Sequence, residues 1–245
     1  MSDPRTHVIV GGSGGIGSTV ARTLAARGDT VVLAGRNEET LAAVGGEIGA
    51  ETVVLDARDV AAVRALGKQA VKTHGRLDSV VNCVGSILLK PAHITKPEDL
   101  AEIMAVNLNS AFGAVQAAAD GMRKTGGNVV LMSSAAARHG LPNHEAIAAA
   151  KAAVEGLTRS AASTYAGWNM RVNAVAPGLV ESPLSEALLA APISREASEA
   201  MHPLGRVGTV DEIASAIVWL LDQSWVTGQV LGVDGGLASV RPKKG

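Results

Sequence analysis

The sequence predicts an α/β protein: a single doubly wound parallel sheet with helices on both faces. Two observations support this prediction. Short apolar runs rich in β-branched residues alternate with alanine-rich stretches along the 245-residue chain, which is the pattern of strand–helix–strand units. Most of these runs are continuously apolar rather than alternating, as expected for parallel strands that helices cover on both faces.

The elements follow one another without a repeat or a linker, so we expect one domain over residues 1–245. Strands are predicted at 7–10, 30–34, 51–56, 79–84, 126–133, 171–176 and 230–233. Helices are predicted at 16–27, 37–48, 59–74, 97–123, 146–165 and 210–221. The segment 178–201 interrupts the alternation. It predicts a loop-rich substrate insertion at the carboxyl ends of the strands, where ligands bind in such sheets.

Composition argues against several classes of function. The 22 basic and 23 acidic residues give a net charge of −1, which argues against a nucleic-acid partner and against an anionic membrane surface. No apolar run is long enough to cross a bilayer. Cys83 is the only cysteine, so an intrachain disulfide is excluded and a reducing, cytoplasmic location is expected.

A glycine-rich turn joins the first predicted strand to the first predicted helix. Its key residues are Gly11, Ser13, Gly15, Ile16 and Gly17. Glycines at this place let the backbone approach a pyrophosphate closely, and the amides at the start of the helix then face the phosphates. Glycines also mark ordinary turns. The position directly after strand one of an α/β chain nevertheless favours a Rossmann-type dinucleotide site.

The end of the second strand indicates which dinucleotide is bound. An acidic side chain here would hydrogen-bond the ribose of NAD. The strand is instead followed by Arg36 and Asn37, and Glu38 already lies in the next predicted helix. The planar guanidinium of Arg36 matches a 2′-phosphate. We therefore expect NADP rather than NAD, the alternative being that Arg36 is a solvated loop residue.

Several further segments carry a family pattern when taken with this turn. They are Gly11-x-x-x-Gly15-Ile16-Gly17, Asn82-Cys83-Val84-Gly85, Val106-Asn107-Leu108, Asn173-Ala174-Val175-Ala176-Pro177-Gly178, Pro203-Leu204-Gly205-Arg206 and Val233-Asp234-Gly235-Gly236. Together they resemble the short-chain dehydrogenase/reductase family, in particular the 3-oxoacyl-carrier-protein reductases. The chain departs from the family's Asn-Asn-Ala-Gly segment at Cys83 and Val84.

The resemblance implies a set of cofactor contacts in addition to the glycine turn and Arg36. They are Asp56 at the adenine, Asn82 and Gly85 supporting the nucleotide, Lys151 at the ribose, Pro177 and Gly178 beside the nicotinamide, and Val180 and Ser182 at the carboxamide.

The resemblance also implies an active site made of serine, lysine, asparagine and tyrosine. Ser134, Lys151 and Asn107 occupy the first three positions. Ile147 stands four residues before Lys151, where the tyrosine that protonates the substrate oxygen belongs. Isoleucine has no proton to donate, so the proton source must differ.

An alternative to a catalytic role stays open for two of these residues: Ser134 could be only a cap at the strand end, and Lys151 could be only a surface lysine.

A substitute acid has to lie near Ile147. Tyr165, the only tyrosine, is fourteen residues beyond Lys151, which is about 21 Å along a continuous helix, and it is rejected. His144 lies three residues before Ile147 and seven before Lys151, offsets that share one helix face, and histidine exchanges protons near neutral pH. Glu145 would turn roughly away from that face, but it stays a second candidate because helix boundaries predicted from sequence shift by a residue or two. The alternative is that these residues merely begin the helix, with Asn143 as its cap.

Three functions remain open at this stage. The first is an NADP-dependent oxidoreductase acting on a carbonyl, enone or alcohol with a non-standard proton donor. The second is a nucleotide-binding regulatory or partner protein without turnover, and the third is a lyase or isomerase that uses His144 as a base. Apolar side chains in the insertion predict an apolar or acyl substrate, or else packing of the insertion against the body. They are Leu184, Leu188, Leu189, Ile193 and Met201.

The resemblance implies a homo-oligomer, either a dimer or a homotetramer, in which the helices carrying Asn107 and Lys151 pair between subunits. A face of small residues on the second of these helices is compatible with close packing; it consists of Ala146, Ala149, Ala150 and Ala153. No metal site is predicted, because His93 and His139 lack the spacing of metal ligands.

Overall fold

Seven parallel strands form the central sheet of the computed structural model, which describes residues 4–241. The ends of the predicted domain, 1–3 and 242–245, lie outside the described residues. The strands of this sheet are β1 (Thr6–Val10), β2 (Thr30–Gly35), β3 (Glu51–Val54), β4 (Ser79–Asn82), β5 (Gly127–Met132), β6 (Met170–Pro177) and β9 (Val230–Val233). Their order is β3-β2-β1-β4-β5-β6-β9, and every neighbouring pair is parallel.

Helices cover both faces of the sheet, which confirms the predicted doubly wound topology. Their bounds are α1 (Gly15–Ala26), α2 (Glu38–Ile48), α3 (Val60–His74), α4 (Pro97–Met104), α5 (Ser110–Met122), α6 (Glu145–Tyr165), α7 (Glu186–Leu189), α8 (Pro192–Met201) and α9 (Val210–Asp222). One core lies between the sheet and α1, α2 and α9, and the other lies between the sheet and α3, α5 and α6. Successive residues of β1 enter opposite cores: Val8 and Val10 enter one, and Ile9 the other.

The predicted helix 97–123 is not continuous. A π-helical turn, Ala105–Asn109, separates α4 from α5. The Asn107 side chain competes for a helical carbonyl here, because its Nδ2 donates to the carbonyl oxygen of Ile103 at 2.9 Å. Such turns occur often at functional sites, and this one carries the predicted active-site asparagine.

The predicted loop-rich insertion is more regular than expected. Residues 178–201 contain the short strand β7 (Val180–Glu181) and the helices α7 and α8. β7 pairs with β8 (Gly208–Thr209) in a separate two-stranded sheet. All other predicted element boundaries lie within two residues of the observed ones. Within residues 4–241, no helix combines the length and the hydropathy needed to cross a bilayer.

Helices α3 and α5 approach each other closely at glycines, and this contact generates a stability prediction. A Cβ on buried Gly67 would lie 1.9 Å from the carbonyl oxygen of Ala117. Gly67→Ala should therefore push α3 away from α5 and lower the free energy of unfolding by about 3 kcal/mol, as measured by urea denaturation.

Gly46→Ala is the matched control, because a Cβ on this exposed helical glycine meets nothing within 4 Å. It should raise the free energy of unfolding by about 0.5–1 kcal/mol. Equal urea midpoints for the two variants would contradict the close packing of α3 and α5.

Candidate cofactor and active site

The turn between β1 and α1 leaves backbone donors without partners. Gly11 adopts φ +78°, and a Cβ on Gly17 would lie 2.2 Å from the Gly11 carbonyl oxygen, so neither position tolerates a side chain. The first backbone bond of α1 runs from the Ser18 amide to the carbonyl of Gly14. Within residues 4–241, the amides of Gly15, Ile16 and Gly17 have no backbone acceptor. They stand at the positive end of the helix dipole, where an anion is stabilised.

A cleft of about 450 Å³ opens in front of these amides. Most of the predicted cofactor residues line it: Gly11, Ser13, Gly15, Ile16, Gly17, Arg36, Asp56, Gly85 and Ser182. Cys83 and Leu184 also line it. A groove with free amides at its centre and an arginine at one end fits the pyrophosphate and the phosphorylated ribose of a dinucleotide.

Five predicted cofactor residues do not line the cleft, and one of them, Lys151, is described below. Asn82 is buried and shapes the loop after β4, since its Oδ1 accepts from the Val84 amide at 3.2 Å and its Nδ2 donates to Ser110 Oγ at 3.0 Å. Val180 belongs to β7, and its side chain is buried in the core. Gly178 lines a second cavity, and Pro177 ends β6 next to it. Their cofactor contacts stay predictions.

Charged side chains surround the end of the cleft that contains Arg36. Arg36 is exposed. Asp56 accepts from Arg58 Nε at 2.8 Å and from the Arg58 amide at 2.9 Å. Arg58 also donates to both carboxylate oxygens of Glu102 on α4, each at 3.1 Å. Hydrogen bonding from Arg58 lowers the pKa of Asp56, with a smaller contribution from the charge of Arg36. The sequence analysis did not identify Arg58, although it lies two residues after Asp56.

Lys151 is a buried amine rather than a surface lysine, so that alternative is wrong. It is 5% exposed, and its Nζ donates to the Met132 carbonyl at 2.9 Å. Burial lowers its pKa to about 8, because desolvation disfavours the ammonium form. A Cβ on Gly85 would lie 3.5 Å from Lys151 Nζ and 3.6 Å from Asn107 Oδ1. The predicted lysine and asparagine therefore converge over this glycine, at the edge of the cleft.

Asn107 is held by a residue that the sequence analysis did not identify. Its Nδ2 donates to Ser86 Oγ at 3.0 Å, and its Oδ1 accepts from the Ser86 amide at 3.3 Å. Together with the bond to Ile103, these contacts use both amide hydrogens of Asn107. No sequence signal marked Ser86 beyond its place directly after Gly85.

Ser134 follows β5, and its side chain caps the short 3₁₀ helix Ala135–Ala137 by accepting from the Ala136 amide at 3.2 Å. Ser134 is thus a cap, and its hydroxyl hydrogen has no acceptor among residues 4–241, so its predicted catalytic role stays a prediction. The neighbouring segment is anchored by Glu155 on α6. Its Oε1 accepts from Ser133 Oγ at 3.0 Å and from Arg138 Nε at 2.8 Å.

Ile147, at the position expected for tyrosine, is enclosed by apolar side chains. It is 5% exposed and packs in a small cluster with Ile103 and, at its edge, Leu88 and Met104. The isoleucine therefore fills its site without leaving a polar gap. Tyr165 ends α6 and packs on Trp168 with ring centroids 5.0 Å apart, so it lies far along the helix from Ile147, as expected.

His144 lies outside the helix, which corrects the helix-face argument. Helix α6 begins at Glu145, and His144 occupies the N-cap position with φ −108° and ψ 10° and no side-chain capping bond. Asn143, considered above as the cap, instead adopts a left-handed conformation with φ +63°. The half-buried His144 ring donates from Nδ1 to the Pro142 carbonyl at 2.8 Å. A carbonyl can only accept, so Nδ1 carries a hydrogen, and a proton that the ring exchanges with another group passes through Nε2.

The buried amine of Lys151 generates a prediction about stability and pH. Between pH 8 and 10.5, the unfolded chain holds the Lys151 proton and the folded chain does not, so this group's contribution to the free energy of unfolding rises with pH. Relative to Lys151→Met, the native chain should gain on the order of 3 kcal/mol across this window in urea denaturation.

Lys72→Met, at an exposed lysine of α3, controls for charge loss and should follow the native chain at every pH. A native-minus-Lys151→Met difference that stays flat between pH 8 and 10.5 would show that the amine is not desolvated.

Comparison with known proteins places this geometry in a family. The family model described as "Enoyl-(Acyl carrier protein) reductase" matches residues 11–238. The chain is 35% identical over 240 residues to 3-oxoacyl-[acyl-carrier-protein] reductase FabG of Thermotoga maritima, covering 94% of this chain and 96% of that one.

Two solved structures have the same fold. One is a short-chain type dehydrogenase/reductase from Mycobacterium ulcerans, with a TM-score of 0.90, 32% identity and coverage of 97% of this chain and 91% of that one. The other is ElxO with NADP bound, with a TM-score of 0.89, 29% identity and coverage of 96% and 98%. The chain belongs to the short-chain dehydrogenase/reductase family.

Proposed function

We propose that this chain is an NADP-dependent oxidoreductase that acts on a carbonyl, enone or alcohol group of a small apolar or acyl substrate. The observation that carries the proposal is the junction at Gly85, where the end of the cleft meets the buried amine of Lys151 and the amide of Asn107. The structural relative ElxO has NADP bound, which supports the choice of dinucleotide.

In this proposal the chain binds the dinucleotide along the cleft. The amides of Gly15, Ile16 and Gly17 hold the pyrophosphate, and the Arg36 guanidinium meets the 2′-phosphate. Lys151 binds the ribose nearest the reacting end. A bound nicotinamide supplies or accepts the hydride, and the remaining work of orientation and proton handling belongs to side chains of this protein.

Ser134 and His144 share the work at the substrate oxygen. The Ser134 hydroxyl donates a hydrogen bond to this oxygen and stabilises negative charge that develops there. In the reduction direction, the imidazolium form of His144 donates its Nε2 proton to this oxygen and is left neutral, and in the oxidation direction the neutral ring takes the proton back. The exchange uses Nε2 because the Nδ1 hydrogen is already held by the Pro142 carbonyl. His144 therefore takes the role that isoleucine at position 147 cannot perform.

Apolar side chains on two sides of the site favour an apolar or acyl substrate. Ile87 and Leu89 follow Ser86 and are 39% and 40% exposed, while Leu184 and Ile193 in the insertion are 57% and 82% exposed. Leu189, in contrast, is 5% exposed and packs against the body. Exposed apolar groups beside a polar site are typical of a ligand-binding surface.

A second candidate function is nucleotide binding without turnover. The apolar packing around Ile147 favours it, since the tyrosine position is filled rather than left open to another polar group.

For both candidate functions we expect a homo-oligomer. Ala146 and Ala150 are buried inside the subunit, so only Ala149 and Ala153 of the predicted small-residue face are available to a partner.

The catalytic assignment predicts the effect of removing His144. His144→Ala should reduce the rate of NADPH consumption with the preferred member of a ketone and enone panel by about 10²–10⁴-fold, because the proton donor is lost. His139→Ala, at an exposed histidine of the same segment, should match the native rate. Equal rates for the two variants would remove His144 from the mechanism, and NADPH binding without consumption by the native chain would favour the second candidate.

Restoring the missing hydroxyl tests the consequence of Ile147. Ile147→Tyr should raise NADPH-dependent reduction of cyclohexanone by about 10²-fold or more over Ile147→Phe, since the two variants share their ring and differ only in the proton donor. The comparison with phenylalanine removes the effect of ring bulk in the apolar cluster. Indistinguishable rates would mean that the site does not place a tyrosine hydroxyl at the substrate oxygen.

A further inference from the structure

The adenosine end of the cleft contains an acidic side chain that should oppose NADP. Asp56 lines the cleft together with Arg36. Its carboxylate is near enough for the charge of Arg36 to lower its pKa. A 2′-phosphate bound by Arg36 would bring further negative charge into the same cleft, and like charges repel each other. A group that offsets the charge of Asp56 would therefore favour NADP.

Arg58 has the geometry to do this. Its Nε and one terminal nitrogen both bond to Asp56 Oδ2, at 2.8 and 2.5 Å, while its backbone amide bonds to Oδ1 at 2.9 Å. Both carboxylate oxygens of Asp56 are therefore engaged by one residue. Arg58 also lines the cleft, on the same side as Asp56.

Glu102 keeps the guanidinium in this position from the other side. It bonds to the second terminal nitrogen of Arg58 through both of its oxygens, each at 3.1 Å. Glu102 lies on α4, so the orientation of Arg58 is set by an element outside the loop that carries it. Helix α4 leads directly into the π-helical turn of Asn107.

We propose that the ion pair of Arg58 with Asp56 is a determinant of cofactor choice, acting by neutralising a carboxylate that would otherwise repel the 2′-phosphate of NADP. The proposal rests on NADP binding as proposed above. Arg36 contacts the phosphate, whereas Arg58 acts through Asp56 and is a positioning residue. The effect is specific to NADP, because NAD carries no charge at this place.

A double-mutant cycle on direct binding tests the proposal without any turnover. Dissociation constants for NADPH and NADH are measured by fluorescence titration of the native chain, Arg58→Ala, Asp56→Asn and the double variant. Arg58→Ala should weaken NADPH binding by about 5- to 20-fold, because the bare carboxylate then faces the phosphate. NADH binding should change by less than about twofold, since no phosphate is present to be repelled. This retained NADH binding also shows that the variant is folded.

The double variant should bind NADPH within about twofold of Asp56→Asn, since removing the carboxylate removes the need for its partner. Arg64→Ala is the matched control. Arg64 makes a comparable two-bond contact to Asp120, at 2.8 and 3.2 Å, outside the cleft. Arg58→Lys should recover part of the NADPH affinity that Arg58→Ala loses, because lysine keeps the positive charge but cannot form the two-nitrogen guanidinium contact.

Three results would overturn the proposal. Equal weakening of NADPH and NADH by Arg58→Ala would mean that Arg58 contacts the part that both share. An unchanged NADPH affinity would mean that Asp56 does not act on the phosphate, and a double variant as weak as Arg58→Ala would mean that Arg58 contacts the phosphate itself. If the native chain binds neither nucleotide, the proposed function fails first, and this inference with it.

Discussion

The close approach of Gly17 to the turn at Gly11 is the contact on which the site depends. With a Cβ at position 17 only 2.2 Å from the Gly11 carbonyl oxygen, α1 could not start where it does. Gly11 in turn lies against the backbone of Cys83 and Val84, at 3.0 Å from where its own Cβ would be. Three segments therefore meet without side chains between them. This contact frees the first amides of α1 and also fixes the loop that carries Gly85 to Lys151 and Asn107.

The proposed catalytic end combines the buried amine of Lys151 with the apolar side chain of Ile147. Lys151 stays buried, and desolvation lowers its pKa to about 8. Within residues 4–241, its Nζ bonds only to the β5 carbonyl of Met132. Ile147 completes an apolar cluster at the position where the family resemblance places a tyrosine, four residues before that lysine. Polar groups that could handle a proton therefore lie on the segments around it: Ser134 after β5, Ser86 after β4, and His144 before α6. For this reason we propose that a loop residue, His144, exchanges the proton with the substrate oxygen.

The sheet and the glycine turn could be predicted because they depend on local patterns. Apolar runs and glycine spacing decide them within a few residues of sequence, and the alternation of elements leaves one topology. The π-helical turn at Asn107 could not be predicted, because it depends on a side chain competing for the Ile103 carbonyl. The helix-face placement of His144 fails for a related reason: helical periodicity does not apply to a residue that lies one position before the helix begins. Ser86 and Glu155 act through contacts between segments distant in sequence, and so does Arg58 in its bond to Glu102. No single motif reveals these contacts.

The central claim is that the free amides of α1 and the guanidinium of Arg36 bind a phosphorylated dinucleotide. Titration of the purified native chain tests this claim most directly. NADPH and NADH are added in turn while the fluorescence of the bound nucleotide is followed at low ionic strength. The account predicts one saturable site per chain that binds NADPH more tightly than NADH. No saturation with either nucleotide, or tighter binding of NADH, would contradict it.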